Sequence, residues 1–303
     1  MKVSRIHTAI GSDIGNKRRN NQDNGLAALG VYVVCDGMGG GVGGERASGL
    51  AVKHLAALAS KPARDRADIE ATLQAAQDDT LELGDELGGV AGTTATGLVS
   101  PRIPSDDAEA DGRLDPALWY VINVGDSRTY HLDRRPDGIS VADSICQVTT
   151  DHSQRQEAID SGLMLPEVAN ATIPRNIITQ CVGSPDGIDP DFFAVDPVGR
   201  FVVCSDGLHS LVEEHEIGEI CEANPDPQDT VTALITAALD AGGDDNVTVI
   251  VVDIDADEAQ AGQSAETANP AMGSPKEPWH ASKLDRGEDL GTISDITLDG
   301  LRT

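Results

Sequence analysis

Asp36 ends the apolar run "VVCDG" and Asp206 ends "VVCSDG", and each is followed by glycine. Asp245, in "DDNVTVIVV", stands just before a third apolar run. Short apolar runs of this kind read as buried strands, so the three carboxylates sit where strands meet loops. Asp-Gly alone is ordinary turn chemistry. Glycine also lets backbone approach a ligand closely, and a carboxylate at a sheet rim points into a cleft without entering the core. Carboxylates that share a cleft repel one another unless protons or cations neutralise them. An all-oxygen donor set suits Mg²⁺ or Mn²⁺ rather than zinc. A pair of such ions can hold a hydroxide and clamp phosphate oxygens.

The elements that must carry these residues follow from the pattern around them. Residues 3–11 read as an opening strand, and "GLAALGVYVVC" as a hairpin turning near Gly30. Residues 44–59 and 67–83 read as helices, the second with Ile69, Leu73, Ala76 and Thr80 along one face. "GTTATGLVS" reads as a strand, "PRIPSDDAEADGRLDP" as an acidic loop, and "ALWYVINVGDSRTYHLD" as two strands around Gly125-Asp126. A short helix is predicted over 153–161, with further helices over 211–221 and 228–241 and a closing strand "NVTVIVVDID". Strands come in antiparallel-looking groups with helices in pairs between them, without regular βαβ alternation. The expected fold is α+β: two packed antiparallel sheets with helix pairs on the outer faces.

The chain of 303 residues carries 51 Asp and Glu against 22 Lys and Arg, a formal charge of −29. That surface repels a nucleic-acid backbone and an anionic membrane. Five scattered cysteines without a Cys-x-x-Cys pair do not make a disulfide framework, and Cys35 and Cys204 lie in apolar runs as small buried side chains. The N-terminus lacks a signal-peptide pattern, and no apolar stretch approaches the ~20 residues of a membrane span. A reduced, cytoplasmic protein is the expectation. Beyond residue 255 the composition turns small, polar and proline-punctuated, too poor in apolar residues to fold alone. The expected domain therefore covers 1–255, with 256–303 as a flexible tail. Trp279 and the dispersed Leu290, Ile293, Ile296, Leu298 and Leu301 mark that tail as a place for a short docking segment.

The blocks "SDIGNKRRNNQD", "VVCDGMGG", "GTTA", "VGDSRTY", "TTDHS", "RNIITQCVG", "VVCSDGL" and "DDNVTVIVV" occur in this order across residues 3–255. Together they resemble the metal-dependent protein phosphatases of the PP2C (PPM) type in their compact bacterial form. The resemblance implies a PP2C-like sandwich that hydrolyses phosphoserine and phosphothreonine in proteins, with a metal-bridged water or hydroxide attacking phosphorus in line. It implies two Mn²⁺ or Mg²⁺ ions with room for a third. Asp36, bridging the ions, and Asp206 are then ligands, Gly37 offers its carbonyl, Asp245 completes the first ion and Asp126 helps hold the third. Arg18 grips the substrate phosphate, with Arg19 as its rival, Asp23 orders metal-bound water, and Asn246 braces its loop. Phosphorylated proteins opposed to a bacterial Ser/Thr protein kinase are the implied partners, and a monomer the implied state.

Two departures stand out. The family usually has "NED" where this chain has "NQD", so Gln22 replaces a carboxylate near the metal-bound water with an amide that both donates and accepts. Met38 stands where many eukaryotic members carry a histidine proposed as proton donor. His152 reads as structural, and His209 lies after the second Asp-Gly. A pseudophosphatase that binds phosphoproteins, and a hydrolase of small phosphate monoesters, remain as alternatives.

Overall fold

The computed structural model describes residues 3–39, 43–104, 118–256, 279 and 281–293. Two sheets stack face to face. One runs in the order β1 (Val3–Asp13), β12 (Val247–Ala256), β11 (Gly199–Cys204), β8 (Arg128–Leu132), β9 (Cys146–Gln147). The other runs β13 (Ala281–Lys283), β10 (Asp191–Val195), β7 (Trp119–Val124), β6 (Ala95–Val99), β3 (Val31–Cys35), β2 (Asn24–Ala28). A short ladder joins β4 (Gly37–Met38) to β5 (Gly92–Thr93). Among the described residues every ladder is antiparallel.

The alternation of side chains along a strand explains why the apolar runs are continuous. On β3, Val31, Val33 and Cys35 face the helices α1 (Gly43–Ala59) and α2 (Arg66–Leu87), while Tyr32 and Val34 face the opposite sheet. On β11 and β12, Val202, Cys204, Val249 and Val251 face α6 (Glu214–Ala223) and α7 (Pro227–Asp240), while Phe201, Val203, Ile250 and Val252 fill the space between the sheets. Both faces of each sheet are covered, so both sets of alternating positions are apolar. The expected α+β sandwich with outer helix pairs is the fold observed. Ile69, Leu73, Ala76 and Thr80 are buried as the helical spacing predicts. The five cysteines are free thiols, with Cys35 and Cys204 fully buried.

Local signals mark most element ends. Asp65 caps α2 in a reciprocal box with Asp68, and Gly88 ends it in the left-handed region. Leu29 and Gly30 turn the β2–β3 hairpin with φ of 52° and 80°, the two positive values that a tight turn matching strand twist requires. Among the helices that the sequence reading missed, one lies in the region 152–180. Beyond α3 (Gln154–Asp160), the stretch with turn-forming residues holds α4 (Pro166–Thr172), started by a proline at its first position. The acidic loop expected after Pro101 lies outside the described residues over 105–117.

Trp279 and residues 281–293, which composition placed beyond the domain end, pack against it. The Trp279 ring stacks on His131 at 3.8 Å between centroids and 9° between planes, and its Nε1–H donates to Asp196 O at 3.1 Å. β13 extends the second sheet beyond β10, Leu284 is buried against the core, and the short helix α8 (Leu290–Ile293) follows. The remaining apolar tail positions Ile296, Leu298 and Leu301 lie outside the described residues.

Candidate metal centre

One rim of the sandwich collects the carboxylates. Asp36 follows β3, and Asp206 follows β11 at the start of α5 (Asp206–His209). Asp245 precedes β12, Asp23 precedes β2, and Asp126 lies in the β7–β8 turn. Strand register brings them together: Asn24 pairs with Cys35, Ala95 with Val124, Cys204 with Arg128 and with Val249. The residue beyond each of these pairs belongs to the rim.

The rim is strongly coupled. Burial, then the charges of Asp23, Asp206, Asp126 and Asp245, holds the Asp36 carboxyl well above the usual carboxylate range. Asp206 is pushed up to about 7 by burial first and by Asp126, Asp245 and Asp23 next. Asp23 rises to about 6 chiefly through burial, against the hydrogen bond it accepts from Ser205 Oγ at 2.7 Å. Asp126 rises to about 6 through burial and the charge of Asp151. The Asp36 carboxyl hydrogen-bonds both Asp23 and Asp206. Among the described residues no three His, Cys, Asp or Glu side chains converge on one point at ligating distance. The rim carboxyls are instead raised together, as burial and mutual repulsion dictate for an acidic cluster without a counter-ion. An all-oxygen, mutually repelling set of this kind fits hard divalent cations.

Glycine is required beside Asp36. A side chain at Gly37 would lie 2.2 Å from Gly44 O and 2.4 Å from Gln22 O. The start of α1 and the loop carrying Gln22 therefore close directly over the Gly37 backbone. Gln22 takes part through its N–H, which donates to Asn246 Oδ1 at 2.9 Å, and through Nε2, which reaches Gly39 O at 3.5 Å. Asn246 also donates to Ile14 O and Asn20 O at 2.9 and 3.0 Å. It ties the whole "NKRRNNQD" loop to β12.

Arg18 is exposed, and its guanidinium meets Asp245 Oδ2 at 2.5 Å. The predicted phosphate-gripping arginine and a predicted metal ligand are thus partners here. Arg19 is exposed in the same loop. His209 is half-buried, its pKa lowered to about 3 by desolvation first and Arg128 next. Its neutral ring donates Nε2–H to Asp126 O at 3.0 Å, so it braces the rim. Sequence reasoning assigned no role to Thr94 or Ser205, although both lie in quoted blocks. Thr94 Oγ1 accepts the Asp36 N–H at 2.9 Å, and Ser205 Oγ bridges Asp23 and the Thr248 N–H. For Ser205 the available signal was a hydroxyl directly before Asp206; Thr94 has no Asp beside it in the sequence. Arg128 forms two hydrogen bonds with Asp151, at 2.9 and 2.7 Å, which places one cation behind Asp126.

The raised carboxyls predict a pH dependence. Asp36, Asp206, Asp23 and Asp126 bind protons more tightly folded than unfolded, where an Asp titrates near ~3.9. Their contribution to stability is full below that value and is lost as pH rises through about 6 and about 7, the folded values of Asp23 and Asp206. These groups are expected to make the melting temperature of the metal-free chain fall from about pH 4 to about pH 7 in thermal denaturation. A flat or rising profile in chelator would remove the coupled rim.

No family model matches the chain. Protein phosphatase PhpP of Streptococcus pneumoniae is 30% identical over 262 residues, covering 82% of this chain and 98% of PhpP. Serine/threonine protein phosphatase PstP of Mycobacterium tuberculosis is 32% identical over 256 residues, again 82% of this chain, and the match spans 45% of the length of PstP. Among solved structures, the PPM Ser-Thr phosphatase MsPP of Mycobacterium smegmatis, in complex with cacodylate, superposes with a TM-score of 0.67 at 35% identity, covering 84% of this chain and 99% of that one. The catalytic domain of PstP in complex with two manganese ions gives 0.68 at 28% identity, covering 83% and 99%. With its sandwich, its carboxylate rim and these relatives, the chain belongs to the PPM (PP2C-type) family of bacterial serine/threonine protein phosphatases.

Proposed function

We propose that this chain removes phosphate from phosphoserine and phosphothreonine in proteins, at the rim formed by Asp36, Asp206, Asp245, Asp126 and Asp23. The single observation behind the reading is that these five carboxylates share one rim close enough to raise one another, beside the exposed Arg18. Asp36, the Gly37 carbonyl, Asp206 and Asp245 would hold two Mn²⁺ or Mg²⁺ ions, and Asp126 a third. Bound divalent cations supply Lewis-acid charge that reverses the sign of the cleft for a dianionic ester and makes water easier to deprotonate.

The chain's own residues do the rest. Arg18, paired with Asp245 here, would be released toward the phosphate if Asp245 served as a metal ligand, and its planar fork suits two phosphate oxygens. Asp23, with a pKa raised to about 6 and fixed by Ser205, accepts a hydrogen bond from water at the rim. Met38 has no proton to give, so the leaving group takes its proton from solvent. Among the described residues no helix is long and apolar enough to cross a membrane. The proposed partners are Ser/Thr-phosphorylated proteins and an opposing bacterial kinase, and the proposed metal and phosphate-binding residues all lie within 1–255.

The test is Mn²⁺-dependent release of phosphate from a phosphothreonine peptide compared with small esters. Turnover favouring the peptide supports the reading. Turnover confined to small esters supports a monoesterase, and phosphopeptide binding without release supports a pseudophosphatase. Gln22 gives a further prediction. Gln22→Glu adds a carboxylate beside Gly44 at the start of α1, and is expected to lower the Mn²⁺ concentration for half-maximal rate by about threefold. A midpoint that rises would separate Gln22 from the ions.

A further inference from the structure

We propose that Asp191 and Lys283 form a positioning relay, in which the segment after Trp279 holds His152 and, through it, the Gly125–Asp126 turn of the rim. The inference rests on the phosphatase reading for its kinetic consequence, and on geometry alone for the relay.

His152 clamps that turn with two hydrogen bonds and is itself held by a third. Its Nδ1 accepts the Gly125 N–H at 3.2 Å, its own N–H donates to Gly125 O at 2.9 Å, and its carbonyl accepts the Thr179 N–H at 2.9 Å. The turn is demanding. Gly125 has φ of 109°, and a side chain there would lie 2.5 Å from Thr94 Cγ2. Thr94 in turn binds the Asp36 N–H, so a shift at Gly125 reaches the centre of the rim as well as Asp126.

A neutral imidazole that accepts at Nδ1 must carry its proton on Nε2. His152 Nε2 lies 3.4 Å from Asp191 Oδ2, and both side chains are largely buried. Asp191 therefore selects the tautomer that lets Gly125 donate, the arrangement by which an outer carboxylate orients an active-site histidine. Asp191 also sits opposite Asn123 on β7, whose Nδ2 donates to Gly125 O at 3.1 Å and to Thr150 O at 2.8 Å.

Lys283 completes the relay from the far side. Its Nζ meets the same Asp191 oxygen at 2.6 Å, and β13 pairs Lys283 with Phe193, two residues along β10 from Asp191. The segment that carries Lys283 is anchored independently. Trp279 stacks on His131, Leu284 is buried, and Arg66 Nη1 donates to the carbonyls of Asp285 and Glu288 at 2.6 and 2.9 Å. Burial raises the Asp191 carboxyl, and the hydrogen bonds from His152 and Lys283 outweigh it and hold the group below the usual range.

The experiment uses the full chain and two readouts. Histidine-labelled, metal-free protein reports the His152 tautomer by NMR, and steady-state turnover of a phosphothreonine peptide at saturating Mn²⁺ reports kcat and KM. In the unmodified chain His152 is expected as the single Nε2–H tautomer. Asp191→Asn is expected to mix the tautomers and lower kcat by about tenfold with KM little changed. Lys283→Ala, an exposed position that leaves the core intact, is expected to lower kcat by about twofold, and Lys283→Arg to restore it. An Nδ1–H tautomer in the unmodified chain overturns the relay. So does Asp191→Asn with unchanged kcat, or a loss confined to KM. Equal rates for Lys283→Ala and the unmodified chain overturn the part assigned to the C-terminal segment. An unmodified chain without peptide turnover would sink the phosphatase reading, and the tautomer measurement would still decide the relay.

Discussion

Asp36→Ala and Asp206→Ala are each expected to lower phosphopeptide turnover by about a thousandfold or more at saturating Mn²⁺, the loss of several kcal/mol of metal-borne charge stabilisation. The same variants are expected to melt at a higher temperature than the unmodified chain when both are kept in chelator. The reason lies in the rim itself. Asp36 is raised by burial and by four neighbouring carboxylates, and Asp206 to about 7 by burial and three of them. Removing either relieves repulsion in the empty cleft while removing a ligand from the filled one. Added Mn²⁺ then stabilises the unmodified chain by mass action and the variants much less. The two observables move in opposite directions, which a simple folding defect does not do. Activity within about twofold of the unmodified chain for either variant would remove Asp36 or Asp206 from the chemistry.

These carboxylates were legible because each breaks a local rule. A buried strand followed by Asp-Gly is short, contiguous and readable, and Asp36 and Asp206 share it. The sandwich was legible for a related reason: both faces of each sheet are covered, so strands appear as unbroken apolar runs such as "VYVVC". What stayed hidden depends on partners far along the chain. Both Arg18 and Asp245 were singled out, but not their contact, which joins residues 227 apart. β13 has only three residues and the burial of a half-open edge. Its stability comes from β10, Arg66 and His131, none of which shows in the local composition of the tail. Trp279, an expensive aromatic to leave in water among polar neighbours, and the dispersed apolar residues after it were the visible signs. Pro166 likewise marked a helix start, and turn-forming neighbours masked it.

The same blindness applies to Arg200, which reads in "VGRFVVC" as a polar interruption of a strand. It is fully buried, and its guanidinium is saturated. Nε and Nη2 meet Asp253 at 2.7 and 2.8 Å, while Nη1 and Nη2 donate to Thr230 Oγ1 and to the carbonyls of Cys221, Asn224 and Pro225. One side chain thus ties β11 and β12 to the connection between α6 and α7. Arg200→Met takes a donor from the carbonyls of Cys221, Asn224 and Pro225 and most of the donors from the Asp253 carboxylate; Asn224 O keeps Thr230 Oγ1, and among the described residues Arg134 remains beside Asp253, at 3.3 Å. The expected cost is about 3–5 kcal/mol, seen as a melting temperature lower by about 10 °C. Adding Asp253→Leu is expected to recover part of that loss, because the uncompensated buried charge goes with it. Arg200 stands near the start of β11 and Asp206 beyond its end, a separation of roughly 15 Å or more along the strand. The Mn²⁺ concentration for half-maximal rate is therefore expected to stay unchanged in whatever fraction remains folded. A double variant less stable than Arg200→Met alone would show that the penalty comes from lost carbonyl bonds rather than from the stranded carboxylate.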